Sequence, residues 1–527
     1  MSEATLFVGG RVFTGERYCE ALLVEDGRVL AAGPESSVRR DAPPGVEVER
    51  LDGGLVLPGL VDAHIHIADV TRFREGLNLA SVRSVAALGA ACAAWAADHP
   101  RGSIVGRGWD PEQATDRTWP TRQDLDRAVP DRPAFVVHVS GHAGVANSAA
   151  LARAGFGRSA PDPPGGRLGR EADGSPDGRV FEGAVREFVG RPDDLDLPEP
   201  AALARTVHWA ATFGLATLGA MSAAPEEAVA LGGLAAEDRL PGRVRVYLHA
   251  RRWEEYFRRP WGPSGPPGRF AVVGVKEYTD GAFGPRTAWL SEPYADDPGT
   301  AGLATADDRH VREVLELSAR RGLAPALHAI GDRAVEYSLE LLGGRSARDG
   351  APARIEHAAL TPPRLFPALA RVRPVLVVQP GFVWSDRWLE ARLGTPRARW
   401  AYAFQSLVRA GLVLAGSSDA PYDPVDPWRG IRAAVHRVAP DGASANPVAE
   451  ESLGPEEAIR LYTVHGGAAL GDPTLGHLEP GAAADLLVMA APSVADAVEA
   501  GAGAVRATWV AGRPVPRTRE GPGGKTL

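Results

Sequence analysis

Pro58-Gly59-Leu60-Val61-Asp62-Ala63-His64-Ile65-His66 is an apolar, β-rich run that ends in two histidines spaced two apart. Successive side chains of a strand alternate between its faces, so His64 and His66 project to the same side and one metal ion can take both. Alone, such a pair is as readily two ordinary strand histidines as a metal site. The rest of the chain tips that balance. Beyond residues 59–66, β-rich runs recur at 215–221, 244–249, 272–278, 323–328, 353–357, 375–379 and 412–417, alternating with helical stretches. That alternation predicts a parallel α/β fold, and eight is the strand number of a (β/α)8 barrel, whose catalytic groups sit at the C-terminal ends of its strands. His64, His66, Lys276, His328, His357 and Asp419 all fall at or just past the ends of these runs.

Both chain ends carry a different pattern. Short runs at 6–8, 11–13 and 21–25, the Asp26-Gly27 hairpin signal and the run 28–32 predict an antiparallel β unit. Runs at 484–489, 505–510 and 513–515 mirror it, so two half-sheets from opposite termini are expected to complete one β-sandwich. The expected organisation is an N-terminal sandwich part over 1–57, a barrel over 58–465 and a C-terminal sandwich part over 466–527. Residues of about 70–200 exceed a plain strand-to-helix connection and are read as an insertion over the barrel mouth, with loop marked by Pro161 to Gly166.

Composition excludes several classes. A chain of 527 residues that is 44% hydrophobic and 24% charged is ordinary globular protein with a sizeable core. A net charge of −8 argues against nucleic acid as partner. Two cysteines, Cys19 and Cys92, build neither a disulfide framework nor a thiolate metal site, and the N-terminus lacks a basic segment followed by an apolar run, so a cytoplasmic location is expected. The Ala-rich stretch 85–97 is too short to span a bilayer and is read as a buried helix. The expected partner is a small-molecule substrate, with neither nucleic acid nor membrane, and a homodimer is kept open.

Of 58 basic residues only Lys276 and Lys525 are lysine. An arginine-rich chain that keeps an interior lysine has either a chance survivor or a position where arginine fails. Arginine stays protonated in proteins, whereas a desolvated lysine amine can become a neutral nucleophile. Imidazoles from His64, His66, His328 and His357 with the Asp419 carboxylate form a donor set suited to zinc or a similar ion.

These motifs, in the order Pro-Gly-Leu-Val-Asp-Ala-His-Ile-His, strand-borne lysine, single histidine, single histidine and Ser-Asp, resemble the metal-dependent amidohydrolase superfamily. The landmarks Gly108-Trp109-Asp110, Gly141-His142, Pro164-Gly165-Gly166, Val275 to Arg286, His328 to Arg333, Gln379-Pro380 and Leu478 to Gly481 narrow the resemblance to the amidohydrolase family 3 branch of N-substituted formamide deformylases. The resemblance implies a distorted (β/α)8 TIM barrel with a flanking β-sandwich. It also implies that His64, His66 and Asp419 hold one metal and His328 and His357 a second. Both ions, expected to be zinc, would be bridged by Lys276 converted by carbon dioxide to a carbamate. The implied reaction is hydrolysis of a non-peptide C–N bond (amide, formamide or cyclic amide) by a metal-bridged hydroxide, with Asp419 as general base and then acid. The alternatives are isomerisation or decarboxylation at the same site, or a regulatory protein binding a metabolite at a vestigial one.

Two departures from the branch bear on substrate. Pro285 stands where a serine is common, and the usual His-Asp after the second strand is replaced around Gly219-Ala220-Met221-Ser222. Trp109, Asp110, His142 and Arg286 are expected to contact substrate, Arg286 with a loop salt bridge as its equal alternative. Asp332 and Arg333 are expected to pair locally behind His328. Trp384, Trp388, Tyr402 and Trp428 either line a pocket or fill core.

Overall fold

The computed structural model describes residues 4–100, 102–115, 117–139, 141, 143–163, 166–182, 184–189, 197–258, 268–305, 307–343 and 352–516. It divides into two compact units, one of residues 1–67 with 203–526 and one of residues 68–202.

In the first unit, eight parallel strands lie in one sheet in chain order: Leu60–Ile65, Leu215–Ala223, Arg243–His249, Phe270–Tyr278, Ala324–Ala329, Arg354–His357, Val375–Val378 and Leu414–Gly416. Each coincides with one of the eight runs read from the sequence. Leu60–Ile65, Ala324–Ala329 and Val375–Val378 are buried along their whole length, as strands with both faces covered must be. The ends of the first and last strands are joined through loop backbone: Asp419 N–H donates to His64 O (2.8 Å) and His66 N–H to Ala420 O (2.9 Å). Asp62, 1% exposed, fastens the same seam, accepting from the N–H groups of His64 and Ser418 (3.1 Å each) and from the Ser418 hydroxyl (2.5 Å). Withdrawal from water pushes its carboxyl up to about 6, against the pull of these donors.

The termini build the flanking sheets. A four-stranded sheet joins Arg28–Gly33, Ala21–Glu25, Ala4–Val8 and Glu47–Arg50; a six-stranded one joins Arg513–Pro514, Val505–Val510, Leu486–Met489, Leu55–Pro58, Arg11–Phe13 and Tyr18–Cys19. The second mixes both chain ends, with Leu486–Met489 antiparallel to Leu55–Pro58. Asp26 and Gly27 turn the hairpin of Ala21–Glu25 and Arg28–Gly33 at φ +48° and +77°, the positive values this two-residue turn needs. Phe7, Leu22, Val56, Leu486 and Trp509 close the core between the sheets, Phe7 meeting Trp509 edge to face at 5.1 Å. The buried pair Arg243–Asp485 (2.6 Å) ties the third barrel strand to this region.

The second unit has its own six-stranded sheet, in the order Gly166–Arg170, Pro176–Glu182, Ala143–Ala146, Ala134–His138, Ile104–Trp109, Leu77–Asn78, and its own apolar core. Its Ala-rich segment forms the helix Val85–Asp98, but only Leu88 and Cys92 are buried, so it is a surface helix and not the buried one expected. Alanine is small enough to face water at little cost, which an apolar count cannot register. Among the described residues no helix is long and apolar enough to cross a membrane.

Candidate metal centre

Four imidazoles form a row at the C-terminal ends of the first, fifth and sixth strands. Ring centroids lie 5.3 Å apart for His66 and His64, 5.2 Å for His64 and His357, and 4.4 Å for His357 and His328. Asp419 reaches the row from the loop after the eighth strand, its Oδ1 lying 3.1 Å from Nε2 of both His64 and His66. His357 and Asp419 have φ of +72° and +56°. This left-handed conformation costs an L-residue energy and persists where the surrounding structure dictates a side-chain direction.

The histidines are held from behind. His64 Nδ1 lies 2.7 Å from Glu356 Oε2, and Glu356 is clasped by Arg354 through Nε (2.8 Å) and Nη2 (2.9 Å). Arg354 also donates to Ala63 O (2.8 Å) and lies 4.4 Å over the Tyr247 ring. Tyr247, Arg354, Glu356 and His64 are each 0% exposed, a buried polar column in which every charge has a partner. Burial alone would raise the Glu356 carboxyl; Arg354 and His64 carry it well below the usual range. His357 Nδ1 lies 2.8 Å from Gln379 Oε1, and Gln379 is fixed by Nε2 to Ser417 Oγ (3.0 Å). These contacts place the ring protons on Nδ1 and leave Nε2 of His64 and His357 as acceptors.

His64 Nε2 is buried and has no hydrogen-bond partner, although Asp419 Oδ1 is 3.1 Å away. With Nδ1–H given to Glu356, nitrogen and oxygen face each other as two lone-pair donors, an arrangement that a cation between them satisfies and a proton along that line does not. Donor atoms of His64, His357 and Asp419 lie within 4.8 Å of one another. The residues therefore fit a divalent ion. This group takes His357 together with His64 and Asp419, cutting across the division into a set of His64, His66 and Asp419 and a set of His328 and His357 that the resemblance implies. Burial, with the neighbouring His64 and Lys276, brings His357 down to about 3 against the opposing pull of Asp419; burial, His357 and Lys276 carry His328 well below its ordinary value. Both imidazoles are thus neutral at physiological pH, the form that binds metal. Burial by itself would raise Asp419, but His64, His66 and His357 hold it far below the usual carboxylate range.

Lys276 is 1% exposed, and its Nζ lies 4.3 Å from the centre of the Tyr278 ring. His328 Nε2 lies 3.0 Å from Gly281 O. Asp280 accepts from the N–H groups of Ile330 (3.0 Å), Gly331 (2.8 Å) and Trp289 (2.9 Å), locking the loop beyond the fifth strand to that beyond the fourth; burial pushes its carboxyl up to about 7 against those donors.

The other residues singled out in the sequence have different surroundings. Trp109 is 0% exposed in the core of the second unit, and Asp110 accepts from Gln113. His142 lies outside the described residues. Arg286 is gripped bidentately by Asp296 (3.0 and 2.9 Å), which Arg392 also engages. Asp332 and Arg333 do not pair with each other. Asp332 accepts from Ser291 and Arg364, and Arg333 donates to Glu336 and Glu340, because adjacent residues on a helix point away from one another. Trp428 is core, its Nε1 donating to Phe213 O (2.9 Å). Glu356, Arg354, Gln379 and Asp62 had no assigned role. Glu356 and Gln379 stand next to His357 and Pro380 in motifs already noted, and a carboxylate or amide behind a metal-binding imidazole is the signal that finds them.

Residues 47–516 match the model of the amidohydrolase family. The chain is 33% identical to YtcJ of Bacillus subtilis, covering 91% of this chain and 93% of that one. It is 26% identical to the N-substituted formamide deformylase of Arthrobacter pascens, over 89% and 90%. Among solved structures, a metal-dependent hydrolase of Pyrococcus furiosus has a TM-score of 0.74 at 30% identity, covering 92% of this chain and 98% of that one. With eight barrel strands, flanking sheets from both termini and a family match over most of its length, the chain belongs to the amidohydrolase family.

Proposed function

We propose that this protein is a metal-dependent hydrolase that cleaves a non-peptide C–N bond in a small amide, formamide or cyclic amide, with Asp419 as the proton carrier. The observation that carries the reading is the facing of two lone pairs, His64 Nε2 and Asp419 Oδ1, beside His357 in a fully buried setting. Likeness to metal-dependent hydrolases and to an N-substituted formamide deformylase supports the reaction class. His64, His66 and Asp419 would hold one ion and His328 and His357 a second. Divalent ions held there, zinc being the ion suited to these donors, would supply Lewis acidity and lower the pKa of water toward about 7.

Lys276 would carry a carbamate between the two sets. The ammonium first gives one proton to solvent; the neutral amine then adds to the carbon of carbon dioxide, an N–C bond forms as a C–O π pair moves onto oxygen, and a second proton leaves the nitrogen to solvent. A cation thereby becomes an anion at a place that must attract cations. Asp419 is ionised throughout the neutral range, so its carboxylate can take a proton from the attacking water and deliver it to the leaving nitrogen, which leaves poorly as an anion. A cytoplasmic location belongs to the same proposal, supported by Cys19 and Cys92 being free thiols, both buried.

The test is elemental analysis after loading with zinc and bicarbonate, followed by a screen of N-acyl, N-formyl and cyclic amides. About two ions per chain and release of amine are expected. A protein that binds no metal under these conditions overturns the proposal. Turnover by isomerisation or decarboxylation without amine release would replace the reaction while keeping the site.

A further inference from the structure

Tyr278 lies two residues beyond Lys276 on the fourth barrel strand, so both side chains leave the same face. Its ring stands over the Lys276 amine at 4.3 Å and lies 5.1 Å from the His328 ring and 6.3 Å from that of His249. Its hydroxyl lies 2.8 Å from Ser222 Oγ, at the end of the second strand. Lys276 is 1% exposed, whereas Tyr278 and Ser222 are half-buried. The strand carrying Ser222 slips register between Ala220 and Ala223, and Ser222 itself has φ +50°. A bulge with a left-handed residue is a device that re-aims one side chain, and here the re-aimed side chain is the one that holds the tyrosine.

We propose that Tyr278 is a tethered cover over the Lys276 amine, a positioning residue whose hydroxyl is fastened by Ser222, and that this cover sets how fast the amine meets an electrophile. The ring attracts the ammonium through its face and blocks approach from that side. Access then requires the Tyr278 side chain to swing, which the Ser222 hydrogen bond restrains. The replacement of the branch's His-Asp by residues around Ser222 thereby gains a purpose in this chain. The consequence for assembly of the metal centre rests on the proposed carbamate at Lys276, but the cover itself does not.

With only two lysines, the chain permits a direct test. Full-length, chelator-treated protein is exposed to limiting formaldehyde and a borohydride reductant, and methylation of Lys276 is followed by peptide mass spectrometry against Lys525 in the same molecule. Tyr278→Ala should raise the Lys276 rate relative to Lys525 about tenfold or more. Tyr278→Phe and Ser222→Ala, which keep the ring but cut the tether, should each raise it by about two- to fourfold. Thermal melts establish that each variant is folded. A folded Tyr278→Ala protein whose relative rate stays within about twofold of the parent overturns the cover; if that variant does not fold, parent-like rates in both tether variants overturn the proposal. Zinc uptake in bicarbonate separates this inference from the function proposed above. A parent that takes up no zinc refutes the metal site while the methylation rates still judge the cover, and a loaded parent whose Ser222→Ala variant takes up zinc no faster refutes the tether as the control on assembly.

Discussion

The two flanks of the histidine row are built on different principles. Around His64 and His357 every second ring nitrogen is already committed, to Glu356 at 2.7 Å and to Gln379 at 2.8 Å, and Glu356 is locked by a buried arginine. Around Lys276 and His328 the amine faces an aromatic ring, and the imidazole leans on a backbone carbonyl. The first flank is shaped for a cation as it folds. The second offers an amine where the proposed chemistry needs an anion, and under that proposal Lys276 is altered before it serves. On that reading rigidity and modifiability stand on opposite sides of one site.

The largest effect should come from the modifiable side. Lys276→Arg keeps charge and approximate length but cannot form a carbamate, so activity should fall by about 10²-fold or more and bound metal with it. Lys276→Ala should be equally inactive, yet a short-chain carboxylic acid in solution should restore part of both, and the arginine variant should resist that rescue. A fully active Lys276→Arg protein with two ions would dissolve the contrast between the flanks.

On the rigid side, Glu356→Gln leaves the Arg354 guanidinium buried without its counter-charge. Stability should drop by about 3–5 kcal/mol in chemical denaturation, and zinc affinity by about 10- to 100-fold. Gln379→Ala removes a neutral partner, so about 1–3 kcal/mol and the lower end of that affinity range are expected. Equal losses in the two variants would show that the charge in the column adds nothing.

Acidification provides the gentlest probe. In metal-free protein His357 is brought down to about 3, and an unfolded histidine titrates near 6.5. Between those values the unfolded chain binds the extra proton, so this contribution is complete above about pH 6.5 and is lost as the pH falls toward 3. Moving chelated protein from pH 7 to 5 should cost up to about 2 kcal/mol at this residue, read as a falling melting temperature, and His357→Gln should flatten the slope. An unchanged slope in that variant would place the titrating group elsewhere.

Much of the molecule was legible in the chain. The eight barrel strands could be read because each is an apolar run bounded by turn or helical signals, and the sandwich hairpin because Asp-Gly favours positive φ at both positions. What escaped reading was pairing across the sheet. Arg354 and Glu356 sit in a strand whose burial demands apolar residues, so their presence is explicable only once Ala63 O and His64 Nδ1 are found beside them. Asp332 and Arg333 misled for a related reason: sequence adjacency suggested an ion pair that helix geometry sends to two different neighbours.

The sequence by itself determined which residues stand at strand ends, because alternation of side chains and the spacing of apolar runs are local properties of a chain. It determined too that one interior lysine differs from 56 arginines in what its nitrogen can do. Only the tertiary structure decided which ring nitrogen of His64 and of His357 is committed to a neighbour, which histidine shares a pocket with Asp419, and that Tyr278 and Ser222 close over Lys276. Those are directional contacts of a few ångströms between residues up to hundreds of positions apart, fixed by barrel closure and strand register, and no local pattern encodes them.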